Sequence, residues 1–390
     1  MPWTILPPAY LTSTPVSLSS GKGYTHRNLR TACNVASVVR PPLLLIALAL
    51  TACQSQATAQ AIPSSSPAPP PGDIVYVQDP NGPRMLEMDW SGKVLGSVSA
   101  QGFSTPSPDG SRYLRSIDRI TVEDWRGHAL GALDADASSY GLGTWADDGQ
   151  HFCGIAFPAN RGPDTGTGSL WIAAPGEKRR TVGAVGKPGS DPAVAACSIK
   201  NNRAIVAGGL EPHWPPGATR YLITGDVQVV NLSTGAIEYE HQYPLGNLGG
   251  QLETGTRGDW ILLAASPDGR YLAESGVFNG KTTIREVPTG KPLATLLGSV
   301  RGFSWDGSRV AASVGSGGTF ETNVISWIDQ RVIWRGPGVA QSAVARPDSS
   351  DLLIGRAAAA GDWYDLVIVR GDGTSTVAVQ NGMIRSPQGG

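Results

Sequence analysis

The stretch "AASPDGRYLAESG", residues 264–276, decides the fold, because its Ser-Pro-Asp-Gly run recurs along the chain. The same run stands at residues 107–110 in "STPSPDGSRYL". Altered copies occur in "WADDGQHF" from Trp145, "CSIKNNRAIV" from Cys197, "FSWDGSRV" from Phe303 and "ARPDSSDLL" from Ala345. Proline presets the φ angle of a turn, aspartate bonds the backbone two residues on, and Gly or Asn accepts a positive φ. Each copy lies between two apolar stretches, so the run predicts the turn of a β-hairpin.

The aspartates of these runs are also candidate catalytic carboxylates. Their repetition argues against that role, because a carboxylate that recurs at one turn position is what a repeat architecture produces. We therefore predict that the repeated aspartates are turn residues: Asp109, Asp148, Asp268, Asp306 and Asp348.

A second type of hairpin alternates with the first. "RMLEMDWSGKVLGSVSA" from Arg84 and "RITVEDWRGHALGALDA" from Arg119 match at seven of seventeen positions, and each has alternating apolar residues on both sides of a short turn. Seven turns of this type occur, at 89–92, 124–127, 174–177, 231–235, 287–290, 328–330 and 370–373. Seven such hairpins, with internal periods of about forty residues, predict seven blades of a β-propeller.

The first blade lacks one strand, because the folded part begins directly with "DIVYVQD" at Asp73. The segment "GMIRSPQGG", residues 382–390, has a Ser-Pro-x-Gly ending like the runs above. We predict that this C-terminal segment supplies the innermost strand of the first blade, which closes the ring and leaves no open sheet edge. The predicted fold is all-β, a seven-bladed β-propeller over residues 73–390.

These units resemble the Ser-Pro-Asp-Gly blades of the TolB-like and WD-like β-propellers, over roughly residues 73–390. The resemblance implies the propeller fold. It does not imply one activity, because that family includes binding platforms, periplasmic accessory proteins and the regulatory parts of peptidases.

Residues 1–52 differ from the rest. The first 72 residues contain no Asp or Glu, and four basic residues precede an apolar run from Leu43 to Ala52. A basic stretch, a short apolar run and small residues make up a secretory signal. Leu50-Thr51-Ala52-Cys53 resembles the bacterial lipobox, which implies lipidation of Cys53 and attachment to a membrane facing the periplasm or the cell exterior. The alternative is an ordinary signal with a chance cysteine. The long basic lead also leaves open a translation start near Val38.

Residues 53–72 follow as a tether. The run "QSQATAQAIPSSSPAPPPG" is uncharged and rich in Pro, Ser and Ala, a composition that does not bury enough apolar surface to fold. Its proline-rich end favours an extended spacer. We expect this segment to hold the propeller away from the membrane.

Two cysteines remain in the predicted propeller. Cys153 lies on the second strand of the third predicted blade and Cys197 on the first strand of the fourth, each four residues from a turn. Outside the cytoplasm such a pair can form a disulfide. The alternative is two buried free thiols.

The longest predicted connections belong to blades three to five and lie on one face. They begin at Pro158, Glu211 and Tyr243. Aromatic and arginine side chains on exposed loops are typical interface anchors, whereas tolerated surface insertions are the alternative. The candidate binding residues are Arg161, Asp164, His213, Trp214, Arg220, Tyr221, Arg257 and Trp260.

The sequence indicates no catalytic residue, no metal site and no cofactor. The histidines lack ligand spacing, no Gly-x-Ser-x-Gly elbow occurs, and the run at Ser275 that is similar to a phosphate loop lies between two strands. A net charge of −1 gives no reason to expect nucleic acid as a partner. We expect a monomer that acts as a protein- or ligand-binding scaffold for a protein or cell-envelope partner. The alternative is a small-molecule enzyme of lyase, lactonase or cyclase type that uses the central funnel, although the innermost strands offer no Asp, Glu or His.

Overall fold

The computed structural model describes residues 74–116, 119–135, 143–158, 167–187, 192–208, 211–213, 222–247, 261–276, 280–316, 319–357 and 364–384. In these ranges the regular elements are β-strands, and no helix occurs. The strands pair with antiparallel neighbours into seven consecutive blades, so the predicted all-β fold is confirmed.

In blades two, three, five, six and seven the strands pair in chain order from the axis outward, whereas blade four has an extra strand and blade one takes its innermost strand from the end of β28. The first four blades contain β1 (Val75–Gln78), β2 (Arg84–Met88) and β3 (Val94–Ser99); β4 (Phe103–Pro106), β5 (Arg112–Ser116), β6 (Ile120–Asp124) and β7 (Ala129–Ala132); β8 (Thr144–Trp145), β9 (Phe152–Ala156), β10 (Gly168–Ala173) and β11 (Arg180–Val185); and β12 (Pro192–Ser198), β13 (Arg203–Gly208), β14 (Glu211–His213), β15 (Leu222–Asn231) and β16 (Ile237–Asn247). Here β14 is a short extra strand that pairs with the start of β15.

The last three blades contain four strands each. They are β17 (Ile261–Ala265), β18 (Tyr271–Gly276), β19 (Lys281–Glu286) and β20 (Pro292–Leu297); β21 (Ser299–Phe303), β22 (Arg309–Ser316), β23 (Thr319–Ser326) and β24 (Arg331–Pro337); and β25 (Val339–Ala345), β26 (Leu352–Ala357), β27 (Tyr364–Val369) and β28 (Ser375–Ile384).

Strand β28 closes the ring. Most of its length pairs with β27 as the outermost strand of blade seven, and its last two residues continue into blade one. There Ile384 pairs with Val77 and Met383 with Gln78 of β1. The predicted closure is confirmed, and it is made by one continuous strand that joins blades seven and one into a seven-stranded sheet.

The Ser-Pro-Asp-Gly runs are the turns between the first and second strands of the blades. Ser266 N–H donates to Tyr271 O at 3.0 Å. Asp268 Oδ1 accepts from Ser266 Oγ at 2.6 Å and from Arg270 N–H at 3.1 Å. Gly269 has a φ of +66°, which an L side chain adopts only with strain. All five repeated aspartates lie in such turns, as predicted.

The core consists of apolar layers between neighbouring blades. One layer joins blades five and six through Ile284, Val310 and Phe303. Another joins blades three and four through Ile155 and Val206. Alternate residues of each strand face opposite neighbours. Both faces of a blade are therefore covered, and two ends of the ring are left as surfaces: the turn face, with the tight hairpin turns, and the loop face, with the connections from second to third strands and between blades.

Candidate functional site

A cavity of about 40 Å³ lies on the propeller axis, beside the turn face. Its walls come from the innermost strands of blades three to seven, and its rim includes the turn residues Pro108, Asp147, Pro267 and Trp305. This volume holds on the order of three water molecules. Pockets for small-molecule ligands are usually about 300 Å³ or more.

Asp147 is a carboxylate at this cavity, in the turn after β8. Its Oδ2 accepts from Ser198 Oγ at 2.5 Å and its Oδ1 accepts from Ile199 N–H at 2.8 Å. Its own N–H donates to Cys197 O at 3.0 Å. Both carboxylate oxygens thus bind blade four, so Asp147 links two blades.

Each innermost strand has one position at the same distance from its turn, which we call the axial position. In blade five, for example, Ser266 N–H donates the hydrogen bond that closes the turn, and the axial position is Leu263, three residues earlier. In blades two to seven it is occupied by Ser104, Gly143, Ala195, Leu263, Arg301 and Ala343. Five of these six are partly exposed and Gly143 is buried, whereas the residues next to the turn are buried in all six blades. Ala195, Leu263 and Ala343 also pack against the apolar layers between blades, whereas Arg301 carries a charge at the same position of blade six.

Arg301 is the one charged residue among these six axial positions. On β21, Val300 pairs with Ala312 and Gly302 pairs with Ala311, so Arg301 is the extra residue of a β-bulge. Its Nε atom is buried and has no acceptor among the described residues. Burial lowers the pKa of Arg301 from its ordinary value.

The sequence prediction missed Arg301, because it judged the innermost strands by their lack of Asp, Glu and His. The signal was present in "VRGFS", whose arginine is the one Asp, Glu, His, Lys or Arg residue in the six innermost-strand segments from "FSTPS" to "QSAVA". Asp147 was missed for another reason: it stands in a turn, in the slot that proline fills at Pro108 and Pro267.

On the loop face, strands of blade four continue past the end of β13. Strand β13 ends its pairing with β15 at Val227, while the first residues of β15 continue outward, paired with β14 on one side and β16 on the other. This three-stranded part, which we call the blade-four extension, consists of 211–213, 222–226 and 242–247.

The base of the blade-four extension is fixed to blade five. Tyr243 Oη donates a short hydrogen bond to Glu274 Oε1, and Arg285 Nε donates to Glu274 Oε2 at 2.7 Å. Both Tyr243 and Glu274 are 7% exposed. Burial and the Glu274 carboxylate raise the pKa of Tyr243 above its ordinary value, so its hydroxyl stays protonated and donates.

The other side of the base is fixed to blade three. Gln228 Oε1 accepts from Gly186 N–H at 2.8 Å, and Gln228 Nε2 donates to Glu240 Oε1 at 2.7 Å. Lys187 Nζ forms an ion pair with the same Glu240 oxygen at 3.2 Å. The extension therefore begins from a base held by both neighbouring blades.

The predicted binding residues fall almost entirely outside the part of the chain that the structure describes. His213 is the last residue of β14, in the blade-four extension. The others lie outside the described residues: Arg161, Asp164, Trp214, Arg220, Tyr221, Arg257 and Trp260, together with Cys53 and the two segments 1–52 and 53–72. Their roles remain predictions.

Cys153 and Cys197 are joined as a disulfide in the structure, with an Sγ–Sγ distance of 2.00 Å. Cys153 lies on β9 and Cys197 on β12, so the bond connects blades three and four. Both residues are buried in the apolar layer between these blades.

Two other findings concern the described residues alone. They contain no group of three or more His, Cys, Asp or Glu side chains that could hold a metal ion. In the same ranges, no helix is long and apolar enough to span a bilayer.

No protein-family model and no curated protein sequence matches the chain. Solved structures similar to it include the Cps50 (Swd1) β-propeller domain of Myceliophteria thermophila, at 14% identity over 73% of this chain and 90% of that one, with a TM-score of 0.43. Hsv2 of Kluyveromyces lactis matches at 11% identity over 76% and 89%, with a TM-score of 0.44. TolB of Acinetobacter baumannii matches at 13% identity over 70% and 61%, with a TM-score of 0.38. This likeness concerns the fold alone, and the strand order above carries the conclusion: the chain is a seven-bladed β-propeller, with TolB and other propellers among its structural neighbours.

Proposed function

We propose that this protein is a non-enzymatic binding scaffold that captures a protein or cell-envelope partner through the loop face of blades three to five. The observation that carries the proposal is the blade-four extension with its doubly anchored base. An interface element that is already ordered loses less conformational entropy on binding than a free loop does.

The hydrogen bonds at the base of the blade-four extension are of a type that holds a segment in one conformation. Glu274 accepts from both Tyr243 and Arg285, and Gln228 joins Gly186 to Glu240. Hydrogen bonds to charged groups contribute about 1.5–3 kcal/mol each. The base of the blade-four extension is thus held by hydrogen bonds to both neighbouring blades. Trp214 and Arg220, chosen from the sequence, are the anchors that we propose for the partner.

The axial cavity supports the same choice against the enzyme alternative. At about 40 Å³ it is small for a substrate pocket, and its carboxylate, Asp147, is hydrogen-bonded through both oxygens. Neither feature suits a general base that must reach a substrate.

For localisation we propose lipid attachment at Cys53 on the outer side of a bacterial cytoplasmic or outer membrane. The basic leader, the apolar run to Ala52 and the lipobox-like Leu50-Thr51-Ala52-Cys53 support this proposal. The uncharged tether of residues 54–72 would leave the loop face accessible to a soluble or envelope-bound partner.

The test is capture from a crosslinked membrane fraction by the lipidated full-length protein, with a double substitution of Trp214→Ala and Arg220→Ala. We expect the double variant to lose the captured partner while its melting temperature stays near that of the wild type. The matched control is Trp125→Ala with Arg126→Ala, because this pair lies on the turn face, with the guanidinium 4.7 Å from the indole ring centre. The control should keep the partner, after correction for any loss of stability.

Two outcomes would overturn the proposal. One is equal capture by the wild type and the loop-face double variant. The other is a chemical activity that disappears when a residue on the axis, such as Trp305, is replaced while capture is unchanged, since that result would favour the enzyme alternative.

A further inference from the structure

An innermost strand of the propeller carries an arginine whose buried Nε has no acceptor among the described residues, and we propose that Arg301 binds a small oxyanion, either a free phosphate or a free carboxylate. This site is separate from the loop face, and the inference goes beyond the scaffold function.

The placement of Arg301 rests on two independent features. It occupies the axial position of blade six, a level at which five of the six side-chain positions are partly exposed. It is also the residue left unpaired by the β-bulge between Val300 and Gly302. A bulge redirects one side chain out of the regular alternation, and bulges are frequent beside functional sites.

The contrast with other partly buried arginines shows what is missing at Arg301. Arg115 Nε lies 2.8 Å from Glu123 Oε2, and Arg285 Nε lies 2.7 Å from Glu274 Oε2. Arg301 Nε has no such acceptor in the described residues, although it is buried. A charge removed from water without a partner is unfavourable, so an anion supplied from solution would complete the site.

The walls around Arg301 favour a small ligand. The axial residues of the two neighbouring blades are Leu263 and Ala343, which offer no competing carboxylate. Blades six and seven lie close together here, because a Cβ added at Gly302 would be 3.0 Å from Ala343 O. A cavity of about 40 Å³ is lined by the adjacent residue Gly302 and by Ala343, but not by Arg301 itself. A guanidinium presents its donors in a planar fork that matches carboxylate and phosphate oxygens.

The experiment is thermal unfolding and calorimetric titration of the tethered propeller, residues 54–390 with the lipid omitted, in inorganic phosphate or in acetate at constant ionic strength set with chloride. We expect one of the two anions to raise the melting temperature saturably, because a ligand that binds the folded state stabilises it. The phosphate and acetate arms decide which oxyanion the site takes.

Substitutions of Arg301 test whether this residue is responsible for anion binding. Arg301→Gln should weaken binding at least about tenfold, as expected for the loss of a charge-assisted pair of hydrogen bonds, and Arg301→Lys should retain part of it. Arg335→Gln is the matched control, because Arg335 is an exposed arginine on the outermost strand of the same blade. It should bind like the wild type. If Arg301→Gln folds poorly, the Arg301→Lys protein gives the comparison alone.

Three results would contradict the proposed site. The first is a wild-type melting temperature that does not rise saturably with either anion. The others are equal anion affinity of the wild type and Arg301→Gln, and a loss of affinity in Arg335→Gln as large as that in Arg301→Gln. Partner capture by Arg301→Gln should be unchanged, which separates failure of this inference from failure of the scaffold function.

Discussion

The carboxyl group of Glu87 lies directly over Gly96, its partner across the β2–β3 ladder: a Cβ added at Gly96 would be 2.6 Å from Glu87 Oε2. Glycine at this position leaves room for the carboxyl group, which is 5% exposed and has no hydrogen-bond partner at Oε1 among the described residues. On this face Glu87 points toward blade two, with Tyr76 and Met85 on its own blade. Burial raises the pKa of Glu87 to about 7.

We predict that Glu87 makes the protein less stable as the pH rises. The folded state holds a proton on Glu87 that the unfolded state has released above its ordinary pKa of 4.5. The stabilisation is complete below pH 4.5 and is lost as the pH rises to about 7, at a cost of up to about 3 kcal/mol. Glu87→Gln should therefore raise the free energy of unfolding at pH 8 and leave it nearly unchanged at pH 4, as measured by denaturant titration.

A second glutamate in the same interface is the control. Glu123 accepts from Tyr113 Oη at 2.7 Å and from Arg115 Nε at 2.8 Å, so Glu123→Gln should destabilise the protein at pH 8. An equal gain at pH 4 and pH 8 for Glu87→Gln would contradict the assignment.

We predict that Cys153 and Cys197 are oxidised in the protein isolated from its native compartment, and that the bond stabilises the fold. It closes a sequence separation of 44 residues, for which a loss of about 2–4 kcal/mol is expected on removal. The double variant Cys153→Ala with Cys197→Ala should melt several degrees lower than the oxidised wild type and should not respond to reductant. Two free thiols in the denatured native protein would show that the alternative of buried thiols is correct.

We predict that the end of β28 is needed for stability. Deletion of residues 382–390 removes the pairing of Ile384 with Val77 and of Met383 with Gln78, and it opens an edge on β1. The protein should aggregate or lose several kcal/mol of stability. Deletion of residues 385–390 alone is the matched control, because it keeps both pairs. Equal melting temperatures for the two deletions would mean that the pairing contributes nothing.

We predict lipidation at Cys53. Mass spectrometry of the mature N-terminus should find a lipid-modified cysteine, and Cys53→Ser should release the protein from the membrane fraction. A mature N-terminus at another residue, or a Cys53→Ser protein that stays in that fraction, would refute the lipobox interpretation.

The fold could be predicted in detail, because it follows from short turn sequences and from the alternation of apolar residues beside them. Ser266 to Gly269 specify a turn whatever surrounds them, and the alternation around them specifies two strands. The number of blades and the closure then follow from counting. That β28 serves two blades as one strand was not predictable in the same way, since its ten residues carry no break at the point where the partner changes.

The axial site could not be predicted, because it depends on register. Arg301 lies in a bulge that the sequence does not predict, whereas the same position in blade five, Leu263, lies in a regular ladder. The partnership of Tyr243 with Glu274 is a further example, since it joins residues 31 apart in sequence on neighbouring blades. Loop-face anchors were chosen by residue type alone, which is why their roles still await the capture experiment.

The pairing of Val77 with Ile384 also sets an order of events during biosynthesis. Ile384 is made about 300 residues after Val77, which at 5–20 residues per second is roughly 15–60 seconds later. During that interval β1 has no inner neighbour, while blades two to six can form from contiguous chain. A ribosome that stops before Ile384 thus releases a chain in which β1 has an unpaired edge. Completion of the ring therefore requires that synthesis has passed Ile384.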